Sequence, residues 1–204
     1  VQTVDGRLYV IAGASRSGKT AWTKRQTAKA RRVFAWDPEA QWCELRGWTK
    51  VTTKAAMAAA MQKPGPQKLA FVAGGDLKEY FDFFAACCMY AARHVKPGLD
   101  VIAEELADVT TPSKAPGNWG ILLRRGLKRG VTLWCISQRW SEADKTAMGN
   151  ASDFVVFRQA RGADAVYLSK NVGLPLDKVD SLKPLEYVHK NALTGEILEG
   201  KLKF

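Results

Sequence analysis

Residues 13–20 read GASRSGKT, and what flanks them narrows the possible folds more than the octet does alone. RLYVIA (7–12) before it is a short apolar stretch of strand character, and AWTKRQTAKA (21–30) after it reads as a helix. A glycine, four variable residues and then Gly-Lys-Thr, set between a strand and a helix, is the pattern of a loop that wraps phosphate oxygens at a helix N-terminus. The backbone N–H groups from Ser15 through Thr20 are the expected cradle. Gly13 is expected to permit the tight turn and Gly18 to let the backbone approach the phosphates, with Ala14, Arg16 and Ser17 completing the loop. Lys19 suits the β- and γ-phosphates, and the Thr20 hydroxyl suits Mg²⁺. ATP and Mg²⁺ are therefore the expected ligands. The bland reading is a glycine-rich turn with an exposed lysine.

Five further runs have strand character: RVFAWD (32–37), KLAFVA (68–73), LDVIAEE (99–105), GVTLWCIS (130–137) and DFVVFRQ (153–159). They are continuous apolar runs and do not alternate, as expected of parallel strands covered by helices on both faces. Helical stretches lie between them at TKAAMAAAMQ (53–62), LKEYFDFFAACCMYAARHV (77–95, stopped by Pro97 and Gly98) and a short turn in SEADKTAMGN (141–150). DVTTPSKAPGN (108–118) has loop character. The tail, 184–204, reads as short strands around the LTGE turn, a hairpin on the sheet edge. The expected class is α/β: a three-layer P-loop NTPase fold with a mainly parallel sheet, which the family resemblance stated below narrows to the RecA/FtsK-like type. Residues 1–160 form its core, and 161–204 a C-terminal extension packed on the same domain.

A phosphate loop needs a second acid from an adjacent strand to complete the Mg²⁺ shell. Two strands end in acids, one at Asp37 and one at Glu104 and Glu105. The pair fits better: Glu104 for the metal shell, Glu105 to polarise the attacking water. Alternatively the pair caps a helix beginning at ELADV. Gln138, with Arg139 beside it, follows the 130–137 strand and suits a sensor of the γ-phosphate; a surface turn is the bland alternative.

The 204 residues carry 31 Lys and Arg against 20 Asp and Glu, a net charge of +11, which favours a polyanionic partner. TKRQTAKARR (23–32) and LLRRGLKRG (122–130) hold much of the excess and contain no acid. No apolar run approaches the ~18 residues of a membrane span, and no signal-peptide pattern opens the sequence. Cys43, Cys87, Cys88 and Cys135 read as free thiols in a reducing compartment, with Cys87 and Cys88 on different sides of a helix. Trp36 and Trp134 lie in apolar strands and read as core, whereas an interface role is open for Trp119 and Trp140. His94 and His189 read as structural or exposed.

GASRSGKT, VFAWDPE, LDVIAEEL and LLRRGLKRGVTLWCISQRW together resemble the ATPase core of the FtsK–HerA group. Within it they resemble the genome-packaging ATPases of tailless, membrane-containing double-stranded DNA viruses. The resemblance covers roughly residues 5–160. It implies ATP hydrolysis that pumps double-stranded DNA, without regard to sequence, through a homo-oligomeric ring at a capsid vertex. Contact with capsid or membrane proteins is implied too, as is a place in the virion after assembly in the host cytoplasm. Lys19 and Thr20 match the family's phosphate and Mg²⁺ residues, Glu105 its catalytic glutamate and Gln138 its sensor. The metal-shell aspartate of the family is Glu104 here. One of Arg124, Arg125 and Arg129 is implied to serve a neighbouring subunit's site, and their spacing suits a helix that directs one arginine across the interface. The competing reading is a small P-loop kinase acting on a nucleotide or metabolite. It is disfavoured because 108–118 makes a poor cationic lid and the paired acids suit water activation.

Overall fold

The computed structural model describes residues 6–95 and 98–204; Pro97 lies outside them. The chain runs β1 (Leu8–Ala12), α1 (Lys19–Thr27), β2 (Arg32–Trp36), β3 (Thr49–Val51), α2 (Lys54–Met61) and β4 (Gln67–Phe71). It continues with α3 (Leu77–His94), β5 (Asp100–Ala103), α4 (Leu106–Val109), α5 (Gly117–Arg125) and β6 (Thr132–Ser137). The remainder is α6 (Lys145–Asn150), β7 (Asp153–Phe157), α7 (Gly162–Leu168), α8 (Leu176–Asp180), β8 (Glu186–Asn191) and β9 (Ile197–Lys201). The nine strands form one sheet in the order β3-β4-β2-β5-β6-β1-β7-β8-β9. All pairings from β3 to β7 are parallel, and β8 and β9 add an antiparallel hairpin at one edge.

Strands with both faces covered need apolar residues at every position, and β1 meets that need. Leu8, Val10 and Ala12 enter one core, while Tyr9 and Ile11 enter the other. The first core is thick: α2, α3, α5, α6 and α7 all contribute to it. The second is thin. Among the described residues its buried cover is Trp22 of α1, Trp42 from the segment after β2 and Leu202 from the tail, with Ala21, Leu45, Trp48 and Leu185 packed half-buried against it. Helices were expected on both faces; here irregular chain does most of the work on one of them.

β3 is absent from the sequence reading because two of its three residues are exposed and only Val51 is buried, so no apolar run marks it. Side-chain caps mark the starts of α2, α3 and α6: Thr53 accepts from the Ala56 N–H (3.1 Å), Asp76 from Glu79 (2.8 Å) and Asp144 from Ala147 (2.8 Å). Cys87, Cys88 and Cys135 are buried thiols and Cys43 is half-buried; all four are free. His94 is exposed, and His189 shares a 2.8 Å hydrogen bond with buried Asp153. No helix among the described residues is long and apolar enough to cross a membrane.

The interface reading of Trp119 and Trp140 is corrected: both are buried inside the chain. The Trp119 indole donates to the Asp144 carboxylate at 3.0 Å, and that of Trp140 to the Ile11 carbonyl at 3.0 Å. Trp119→Ala should therefore destabilise the isolated chain by about 3–5 kcal/mol in urea denaturation, through the cavity and the stranded Asp144. An unchanged midpoint would return Trp119 to a surface role.

Candidate active site

Because β1, β5 and β6 are parallel neighbours, their carboxyl ends lie side by side. The phosphate-loop sequence leaves β1 there, Glu104 and Glu105 leave β5, and Gln138 leaves β6. These residues line one cavity of about 420 Å³, with Ser15–Ala21 along its floor and Asp37, Leu185 and Phe204 on its walls.

The first helical bond of α1 runs from Trp22 N to Gly18 O (2.9 Å), so the amides of Lys19, Thr20 and Ala21 have no intrahelical acceptor. Gly18 takes φ 116, which a side chain resists, and a Cβ there would meet Leu202 at 2.8 Å. Gly13 works differently from the turn role expected of it. Its φ is not positive, but a Cβ would meet Ser17 Oγ at 2.5 Å and Phe157 Cβ at 2.7 Å, so close packing fixes the glycine. Within the expected cradle the Ser17 amide turns inward to the Ala14 carbonyl (3.2 Å), and Ala14 N–H is bonded to Arg158 O (2.8 Å). Ser15 and Arg16 are exposed. Ser17 Oγ is buried without a partner, a polar atom aimed at no protein group. The Lys19 ammonium is buried and donates to the carbonyls of Gly13 (2.7 Å) and Ala14 (2.9 Å). Burial holds its pKa below the usual lysine value, against the opposing pull of Glu105 and Glu104.

Glu104 is buried and its Oε1 accepts two bonds, from the Thr20 hydroxyl at 3.2 Å and from the Trp42 indole at 3.0 Å. The two residues expected to share a metal thus touch. A hydroxyl and a carboxylate suit Mg²⁺, which takes one or two protein oxygens and fills its octahedron with phosphate and water. Asp37, the other candidate acid, is buried and accepts the backbone N–H groups of Gln41 (2.8 Å), Trp42 (3.0 Å) and Cys43 (3.0 Å). It fixes the turn that carries Trp42. In the sequence Trp42 is one tryptophan among seven, and only the Asp-Pro turn just before it hints at a fixed position.

Glu105 stands in the left-handed region (φ 47, ψ 54) at the start of α4. Its side chain makes no capping bond; it accepts instead from Gln138 Nε2 at 2.8 Å. The capping alternative therefore fails, and the acid and the glutamine from neighbouring strands meet.

The arginines stand apart. Arg124 and Arg125 end α5, and Arg129 lies in a short 3₁₀ turn after Gly126, so one continuous helix does not carry all three. All three are exposed, and Arg129 donates to the Arg125 carbonyl at 3.3 Å. They precede β6 at its amino end, whereas Gln138 follows its carboxyl end. The six residues of β6 separate them by roughly 17 Å at ~3.3 Å per residue.

Burial pushes the Glu104 carboxyl up to about 7; Trp42 and Thr20 donation and Lys19 pull it down, while neighbouring Glu105 adds to the rise. A carboxyl with a folded pKa above its unfolded value of about 4.3 stabilises the fold below that value. The contribution is lost as the pH climbs through 7, on the order of 3 kcal/mol. In thermal denaturation without nucleotide or metal, Glu104→Gln should therefore gain on the parent between pH 5 and pH 8. A difference independent of pH would mean a solvated carboxylate.

No protein-family model matches the sequence. Protein P9 of Pseudoalteromonas phage PM2 is 31% identical over 150 residues, which is 71% of this chain and 65% of that protein's length. Among solved structures, the genome-packaging NTPase B204 of Sulfolobus turreted icosahedral virus 2, in complex with AMPPCP, superposes with a TM-score of 0.78 at 14% identity. That match covers 97% of this chain and 98% of that one. B204 of Sulfolobus turreted icosahedral virus, the DNA-packaging ATPase, gives 0.78 at 16% identity over the whole of both chains. The bacterial conjugative coupling protein TrwB gives 0.69 at 10% identity, covering 98% of this chain and 85% of that one. The chain thus has the P-loop NTPase fold seen in the packaging NTPase B204.

Proposed function

We propose that the chain is a subunit of an ATP-driven motor that moves double-stranded DNA into a viral capsid. The observation that carries the reading is the double pairing beside the phosphate loop, Thr20 with Glu104 and Glu105 with Gln138, on adjacent parallel strands. The likeness to B204 supports the packaging role, and the likeness to protein P9 of a phage supports a viral setting.

In this reading the amides at the start of α1 and the Lys19 ammonium receive the β- and γ-phosphates, the ammonium exchanging the carbonyls of Gly13 and Ala14 for phosphate oxygens. Thr20 and Glu104 are the residues that would hold Mg²⁺. When bound, the ion neutralises charge on the phosphates and the leaving group. Glu105 accepts a proton from the attacking water, and Gln138, hydrogen-bonded to it, orients that carboxylate and senses the γ-phosphate. The kinase alternative is less well supported: the exposed segment 111–114 carries one cation, Lys114, and no arginine.

Arg124, Arg125 and Arg129 are a strand length away from their own chain's phosphate loop. A cyclic ring built head to tail would bring the amino end of one subunit's sheet to the carboxyl end of the next. Arg124, Arg125 or Arg129 would then meet a neighbour's γ-phosphate, while the others and Lys128 grip DNA phosphates irrespective of base. Such a ring would sit at the packaging vertex, against capsid or membrane proteins, after assembly in the host cytoplasm.

ATP hydrolysis should rise with mixed-sequence duplex DNA, and the rise should fade steeply with salt as the phosphate contacts are screened. Glu105→Gln should keep nucleotide binding and lose roughly 10²–10⁴-fold in turnover. Full turnover in Glu105→Gln, with loss in Asp37→Asn, would move the chemistry to β2. Mixing Lys19→Ala subunits with subunits lacking one of the three arginines should restore part of the activity that each lacks alone. No recovery with any arginine variant, or full activity of all three alone, would remove the arginine in trans.

A further inference from the structure

The sheet order sets two flanks on the phosphate loop. The acids and Gln138 come from β5 and β6 on one side of β1, and β7 and the β8–β9 hairpin lie on the other. On that second flank the cavity is walled by Leu185 and Phe204. The geometry points to Leu185 and Phe204 as an apolar slot that stacks the base of a bound nucleoside triphosphate, without a side-chain hydrogen bond that would select one purine over the other. The inference rests on the nucleotide reading of the loop and adds the residues that take the base.

Three observations converge on this slot. Phe204 is 86% exposed, a large aromatic left in the open beside a phosphate cradle. The Arg25 guanidinium lies 5.1 Å from the centroid of its ring, and Arg25 also donates to the Lys203 carbonyl, so α1 holds the tail in place. Leu185 has φ 70, a conformation that a branched side chain adopts at a cost and that the surroundings must enforce. Two backbone bonds enforce it: Leu185 N–H donates to the Ser17 carbonyl of the loop at 3.1 Å, and Leu202 N–H donates to the Leu185 carbonyl at 3.0 Å. The apolar wall is thereby tied to the loop that takes the phosphates. With the γ-phosphate directed to Lys19, Thr20 and Glu104, the sugar and base leave the loop toward this flank, because the opposite one holds Glu105 and the water it activates.

Stacking on an aromatic face tolerates any base, whereas sharp discrimination requires polar groups that a wrong ligand leaves unpaired. Leu185 and Phe204 offer none from their side chains. ATP and GTP should therefore bind within about tenfold of each other.

The test compares dissociation constants of the full chain for non-hydrolysable ATP and GTP analogues and for inorganic triphosphate, which has no base. Phe204→Ala should weaken both nucleotides at least about fivefold, the low end of base stacking, and leave inorganic triphosphate unchanged; Phe204→Trp should restore the loss. Leu185→Gly suits the left-handed backbone, so the fold is kept while the wall is lost, and it should show the same selective weakening. Parent affinity for nucleotides in both truncations, or equal weakening of inorganic triphosphate, would overturn the slot. A preference above a hundredfold for one purine would overturn its indifference to the base. If the parent bound inorganic triphosphate but no nucleotide, the slot would fail while the phosphate loop stood; if it bound neither, the nucleotide reading itself would fall.

Discussion

A carboxylate taken out of water must be compensated, and the site is organised around how Glu104 is. It sits at the end of a buried strand, where burial alone favours the neutral acid. Two donors from different parts of the chain converge on one oxygen: the Thr20 hydroxyl from the first turn of α1 and the Trp42 indole from the segment after β2. Trp42 can reach only because Asp37 gathers three consecutive backbone N–H groups and closes the turn beneath it. Two acids at two strand ends therefore divide the labour. One organises backbone, and the other is left with a lone-pair-rich edge toward the phosphate loop.

This division explains what was legible in the sequence. The phosphate loop, the acids after β5 and the glutamine after β6 could be found because each follows a continuous apolar run, and parallel pairing carries such run-ends to one place. Trp42, Leu185 and Phe204 could not. Trp42 owes its position to a turn whose hydrogen bonds are side chain to backbone. Leu185 and Phe204 belong to a tail that returns to the loop after more than 160 residues, a contact with no local periodicity. The same cause hid β3, which has a single buried residue, and misdirected the reading of Trp119 and Trp140. Arg139 and Ser141 flank Trp140, whereas Trp119 stands three and four residues before the buried Leu122 and Leu123 of α5, a helical spacing that the interface reading passes over. The tertiary fold supplies Asp144 and the Ile11 carbonyl as partners.

Parallel strands also impose polarity on the molecule. The acids and the loop occupy one end of the sheet, and the cationic turn before β6 occupies the other. A subunit built this way has two unlike ends. Repeated contacts between unlike ends generate directional assemblies, which close into rings when the rotation permits.

The two outer strands bear on such assembly from another direction. An open sheet exposes unpaired N–H and C=O groups at its margins, and a long flat margin recruits strands from other molecules. Here one margin is β3, only three residues long. The other is β9, whose Glu199 pairs with Lys178 and whose Lys201 pairs with Glu186 at 3.3 Å. Shortness on one side and charge on the other make both margins poor templates for fibrillar growth. Copies of the chain can thus be concentrated without their sheets fusing edge to edge.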